Sequence, residues 1–359
     1  MERCALAVAL ACVLVMRPAA GGERSANPAD YRALVARLTP GDTLRLVAGD
    51  YRDGLPLHGI HGDASRPIRI EGPRDGPRAV FHARPGANTI SLADASHLRL
   101  SDLTLDGRNL PVDGVKAERG DGRPVHDTTL ERLTIVRHGI AQDVVAISTK
   151  VPAWNWQVRG CLIVGAGTGM YFGNSDGSAP FVAGVIEGNM VIDTIGYNVE
   201  VKHQRERPPS LGIPAGPHET VVRANVFAKA RHASTGDLAR PNVLVGHFPP
   251  RGEGSADRYF VAENLFFDNP GEALLKAEGR LVVERNLFVN HRGDAIVIQP
   301  HHDRPRYLRL RDNVIAAEGT GVIIRDLMPQ QESALTANRI LAMTPVVRAD
   351  NAGGTSSAY

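Results

Sequence analysis

The chain has 359 residues, of which 43% are hydrophobic and 22% charged, with a formal net charge of +2. It is long and apolar enough to bury a large core, which excludes intrinsic disorder. The near-neutral balance excludes whole-surface attraction to nucleic acid or to an acidic membrane, so any acidic partner needs a local patch.

The first element is an apolar run from Cys4 to Met16 behind Glu2-Arg3, followed by Ala19-Ala20-Gly21-Gly22. It reads as a signal peptide over residues 1–22 and is too short for a membrane span. A periplasmic or secreted protein is expected, and Cys161 would be its one cysteine after cleavage, with no disulfide to staple it. Residues 27–345 are read as one domain and 346–359 as a loose tail. Tyr31, Leu34, Val35 and Leu38 have helical spacing and predict an N-terminal capping helix. Leu44 and Leu46, PIRIEGP (67–73) and AVFHA (79–83) read as the first strands.

From residue 100 a pattern recurs: an apolar residue, two others, an anchor that is usually Asn, one more residue, and a second apolar residue. LSDLTL, LERLTI, VRGCLI, IEGNMV, VRANVF, VAENLF, VERNLF, LRDNVI and LTANRI carry it. The anchors are Leu103, Leu133, Cys161, Asn189, Asn225, Asn264, Asn286, Asn313 and Asn338, spaced by 22 to 39 residues. Such a period means a solenoid, and strand-rich, turn-punctuated units without room for a helix mean a parallel β-helix. The fold class is therefore all-β, a right-handed parallel β-helix of about 9–11 coils. The asparagines are expected to be structural, holding left-handed turns and stacking as a ladder, with Cys161 a small filler in the same slot.

PGDTLRLVAGDYRDG (40–54), followed by SRPIRIEGP (65–73), resembles the opening of secreted right-handed parallel β-helix proteins. Chondroitinase-B-like and alginate-lyase-type polysaccharide lyases, of the pectin lyase-like fold, carry similar openings. The resemblance spans most of residues 27–345 and speaks for fold more than for chemistry.

Each coil carries a second strand after its anchor. Aligned by apolar alternation, AIST, YFGN, EVKH, LVGH, LLKA, IVIQ and IIRD place Lys202, Lys276 and Arg325 in one column. His203 and His247 fall in the next, and Tyr171 and Glu200 in a third. Tyr171, Asn174, Glu200, Lys202, His203, His247 and Lys276 then share one face, with His301 one coil later. Two long coils add the insertions 205–219 and 230–242, which carry Arg205, Arg207 and Arg240 and are expected to wall a cleft.

A cleft of Arg, Lys and His suits a polymer bearing carboxylates or sulfates. β-Elimination from a uronate needs a base for the proton beside the carboxylate, a cation for the enolate and an acid for the leaving oxygen. Lys202, its pKa lowered by neighbouring cations, His203 and His247 are candidate bases, and Arg240 a carboxylate clamp. Tyr171, Asn174, Glu200, Arg205, Arg207, Lys276 and His301 are expected to bind substrate. The resemblance implies a strand-borne Lys base and calcium held nearby, for which Glu200 and Asn198 are the available ligands. QPHHD (299–303) resembles the Asp-Pro-His-Asp motif of mannuronan epimerases, with Gln299 in place of Asp. The expectation is a monomeric protein that binds an acidic polysaccharide and cleaves it by β-elimination. A C5-epimerase and a non-catalytic polysaccharide binder are the alternatives. No paired carboxylates of the kind an inverting hydrolase needs are visible.

Overall fold

A computed structural model describes residues 21–118, 120–328 and 333–349. Residues 1–20 of the expected signal peptide and most of the expected tail lie outside them. Residues 346–349 belong to the strand Arg339–Ala349.

The described residues form long parallel ladders wound into a β-helix. One sheet of 14 strands runs from Glu23–Ala26 to Ser333–Thr336, with Ala153–Trp154 and Phe181–Val182 off its main path. A 20-stranded sheet contains two further ladders, joined by the long strands Val314–Arg325 and Arg339–Ala349. The stack begins before residue 100, because Glu23–Ala26, Thr43–Leu46 and Ile68–Glu71 already pair in parallel. These coils lack the anchor asparagine, so the repeat pattern does not show them.

The expected N-terminal capping helix is not evident as such: in its place stands a five-residue turn of helix, Tyr31–Val35, that buries Tyr31 and Val35. The Tyr31 ring packs edge-on against Tyr51 and Phe81, and its hydroxyl donates to the Gly54 carbonyl at 2.6 Å. Inward-facing residues then stack coil upon coil, as Phe266 on Phe288 with ring centres 4.4 Å apart. Each such buried side chain contributes ~1.5–3 kcal/mol.

The asparagine ladder is present, and its geometry differs from expectation in one respect. The left-handed residue is the one before each anchor: Ala224, Glu263, Arg285 and Asp312 have φ of 55°, 59°, 54° and 56°. The asparagine itself faces the interior. Asn189, Asn225, Asn264, Asn286 and Asn313 each donate from Nδ2 to the next Oδ1 at 2.8–3.0 Å. Cys161 heads the ladder, donating from its backbone nitrogen to Asn189 Oδ1 at 2.9 Å. It is a buried free thiol, and burial pushes its pKa up to about 12. A second buried ladder runs through Asn242, Asn269 and Asn290. No helix among the described residues is long and apolar enough to cross a membrane.

Candidate active site

The working face is built on short strands of the second sheet, Val145–Thr149, Thr168–Phe172, Val199–Val201, Val243–Val245, Leu275–Ala277 and Ile296–Ile298. Their register corrects the sequence alignment. Ser148, Tyr171, Glu200, Leu244, Lys276 and Val297 form one ladder. Lys276 therefore shares a column with Glu200, not with Lys202. One residue past the strands, Lys202 aligns with Gly246, Glu278 and Gln299. Apolar alternation has period two, so it cannot detect a slip of two residues, which preserves which side chains point inward.

Beyond the strands lies a cleft of about 880 Å³, lined by Tyr197, Glu200, Lys202, His203, Arg240, Glu272, Lys276, Glu278, Gln299, His301 and His302. Gly236 to Pro241 of the second insertion form a wall, as expected, whereas residues 205–219 line none of it. Gly246 is packed against the backbone of the preceding coil and leaves no open space beside Lys202, because a Cβ there would sit 2.4 Å from the His203 backbone nitrogen.

The expected surplus of cations is largely compensated. Lys202 Nζ donates to Glu200 Oε1 at 2.9 Å, and Lys276 donates to Glu272. His302 Nδ1 lies 3.1 Å from Glu278 Oε2. Arg240 differs: its Nη1 donates to the carbonyls of Asp237 and Ala239 at 2.9 and 2.7 Å. Among the described residues no carboxylate hydrogen-bonds to it.

Protonation also departs from expectation. Burial works against the charge on Lys202, but Glu200 outweighs it and holds the ammonium above the usual lysine value. Lys202 is thus a fixed cation, and the expected lowering by neighbouring cations is corrected. His203 moves the other way: burial, His302 and Lys202 lower its pKa to about 4, so the imidazole is neutral near pH 7. Its ring stacks on His302 with centres 3.6 Å apart, and its Nδ1 is buried without a hydrogen-bond partner. Burial raises the Tyr197 phenol, aided by Glu200, so it keeps its proton.

The other sequence candidates are dispersed. His247 is 5% exposed, with Nε2 3.2 Å from Asp303 Oδ2 and 3.4 Å from Arg306, and lies behind the cleft. Arg207 is 4% exposed and ion-pairs with buried Asp257, so it holds the first insertion in place and faces no substrate. Asn174 closes a turn, donating to Ser178 Oγ and accepting from the Ala179 nitrogen at 2.8 Å each. Arg205 is exposed outside the cleft. Tyr171 lies upstream, its ring beneath Lys150 Nζ at 3.3 Å. Burial, with Lys116, lowers Lys150 to about 8.

The suggested calcium ligands do not fit that ion. Asn198 is fully buried, donating from Nδ2 to the carbonyls of Val191 and Ala228 at 3.0 Å with its Oδ1 unpartnered, and Glu200 gives Oε1 to Lys202. Calcium takes six to eight oxygens, and these two residues alone fall far short of such a shell.

Tyr197, Glu272, Glu278 and His302 escaped the sequence analysis as site residues. Glu278 could have been found by the corrected register, since it follows its strand as Lys202 follows its own. Glu272 and Tyr197 lie off the strands, where alternation carries no signal.

No protein-family model matches the chain, and no curated protein does. Solved structures do. Pectate lyase Pel9A is 11% identical with a TM-score of 0.55, covering 85% of this chain and 73% of its own. The Azotobacter vinelandii mannuronan C-5 epimerase AlgE4 A-module is 16% identical with a TM-score of 0.51, covering 90% and 93%. This chain is thus similar in fold to parallel β-helix proteins whose names denote action on polysaccharides.

Proposed function

We propose that the protein binds an acidic polysaccharide in this cleft and abstracts the C5 proton of a uronate, with β-elimination as the outcome. The observation that carries the reading is a neutral imidazole, His203, set beside the fixed ammonium of Lys202 and facing a cleft walled by Arg240. A base must be unprotonated before substrate arrives, and the cation that receives enolate charge must be charged already. His203 and Lys202 meet these two demands side by side.

In this reading Arg240 clamps the uronate carboxylate, and Lys202 stabilises the charge that develops on it. His203 takes the C5 proton. Burial is the main cause of its low basicity in the free protein, and the bound carboxylate offsets the lesser contribution of the Lys202 ammonium, so His203 becomes a stronger base in the complex. The C5–H pair then forms the C4–C5 double bond as the C4–O bond breaks, and Tyr197 protonates the leaving oxygen. The shared fold with a pectate lyase and a mannuronan epimerase supports a polysaccharide substrate. The test is the rise in ultraviolet absorbance of an unsaturated uronate when the protein meets polymannuronate, polyguluronate, polygalacturonate and chondroitin sulfate. Absence of a rise on every polymer, with solvent deuterium entering C5, would indicate epimerisation instead. Neither signal would leave a binding protein.

A further inference from the structure

The 14-stranded sheet carries none of the cleft residues, yet it holds a compact cluster of its own. Strands Ala95–Ser101 and Val125–Glu131 pair in register at Ser96 with His126 and again at Leu98 with Thr128. Between these pairs each strand bends through one left-handed residue, His97 (φ 53°) and Asp127 (φ 51°). Asn155 (φ 54°) occupies the same bend in the next coil. Stacked bends bring side chains from successive coils together.

Asn155 Nδ2 donates to Asp127 Oδ1 at 3.0 Å, which fixes that carboxylate. Its other oxygen, Oδ2, faces two imidazoles: His126 Nδ1 at 2.6 Å and His97 Nε2 at 3.8 Å. The ligand-bearing atoms of the three residues all lie within 4.8 Å of one another. His126 is held from behind, its ring flat on that of Trp154 with centres 4.2 Å apart and an interplanar angle of 5°.

We propose that His97, His126 and Asp127 form a binding site for a divalent transition cation of the zinc class. Two imidazole nitrogens and a carboxylate oxygen select such a metal over calcium or magnesium, which prefer oxygen. A tetrahedral ion with bonds of about 2.0–2.1 Å needs ligand atoms roughly 3.3 Å apart. That value falls between the two separations to Asp127 Oδ2, so small opposite movements of the rings suffice. The fixed carboxylate and the stacked His126 supply the outer support that orients metal ligands. Binding displaces the proton shared by His126 and Asp127 and clips consecutive coils together, away from the cleft. The fourth position stays open to water.

The site is tested on the full chain, stripped with EDTA and titrated with Zn²⁺ while melting temperature and tryptophan fluorescence are followed. Trp154 and Trp156 are the two tryptophans, and Trp154→Phe assigns the optical signal to the ring under His126. One equivalent should bind, raise the melting temperature and change the Trp154 signal. His97→Asn and Asp127→Asn, which keep a residue tolerant of the left-handed bend, should weaken binding by about tenfold or more. Wild-type protein that binds no Zn²⁺ overturns the proposal. So does binding that survives in His97→Asn and disappears in His302→Ala, which would put the ion in the cleft.

Discussion

Lys202 Nζ lies 2.9 Å from Glu200 Oε1, joining two residues of one strand end whose carboxylate is 2% exposed. The pair gives Lys202 a structural role beside the one proposed for it. Lys202→Ala leaves a buried carboxylate without its cation and should cost ~3–5 kcal/mol in urea unfolding. The double variant Lys202→Met with Glu200→Gln should regain most of that stability while remaining inactive.

In the proposed reaction His203 should set the acid limb of activity. Its neutral form is the base, so kcat/KM should fall as pH drops through about 4, the value of the free protein. The acid limb of kcat should lie at higher pH, because the bound carboxylate raises the imidazole pKa. His203→Gln should abolish turnover while leaving polymer binding intact. The folded-state pKa is depressed, so the unfolded chain binds more protons between about 4 and the ordinary 6.5. Stability from this group is complete above that window and is lost as pH falls through it.

Arg240 and Arg207 separate binding from folding. Arg240→Ala should raise KM, or weaken polymer binding, with little change in melting temperature. Arg207→Ala leaves Asp257 buried and unpaired, and should cost ~3–5 kcal/mol of stability. The outcome that would refute this division is an unchanged melting temperature in Arg207→Ala with raised KM.

Lys229 has a buried Nζ without a hydrogen-bond partner, and burial, with Arg240, lowers its pKa to about 7. Between about 7 and the usual 10.5 the unfolded chain holds the proton that the folded chain lacks, so stability rises with pH across that window. At pH 7 the cost is nearly complete. Lys229→Met should therefore be more stable than the parent at pH 7, on the order of a few kcal/mol. The difference should shrink toward pH 10, as urea unfolding at the two pH values would reveal.

Asn264 sits mid-ladder, donating to Asn286 Oδ1 and to the Val222 carbonyl at 2.9 Å and accepting from Asn225. Asn264→Ala orphans buried groups on both sides, at about 1–3 kcal/mol each. A melting temperature close to that of the parent would contradict the structural role of the ladder.

The sequence by itself determined the solenoid. Its anchors repeat because each coil must bury an apolar stripe and, from Asn189 to Asn338, one asparagine, and that requirement is local and periodic. It also located the face that bears Glu200, Lys202 and His203, since alternation marks which strands have a polar side. Only the tertiary structure decided which charges meet. Lys276 and Lys202 appeared to be neighbours because period-two patterns are blind to a two-residue slip. In the structure each pairs instead with a carboxylate of its own segment, Lys276 with Glu272 and Lys202 with Glu200, and the second pair reverses the expected pKa shift of Lys202. Arg207 and Arg240, both from insertions, were indistinguishable by composition. Packing buried one against Asp257 and left the other facing the cleft, because loop conformation depends on distant partners that no local pattern encodes.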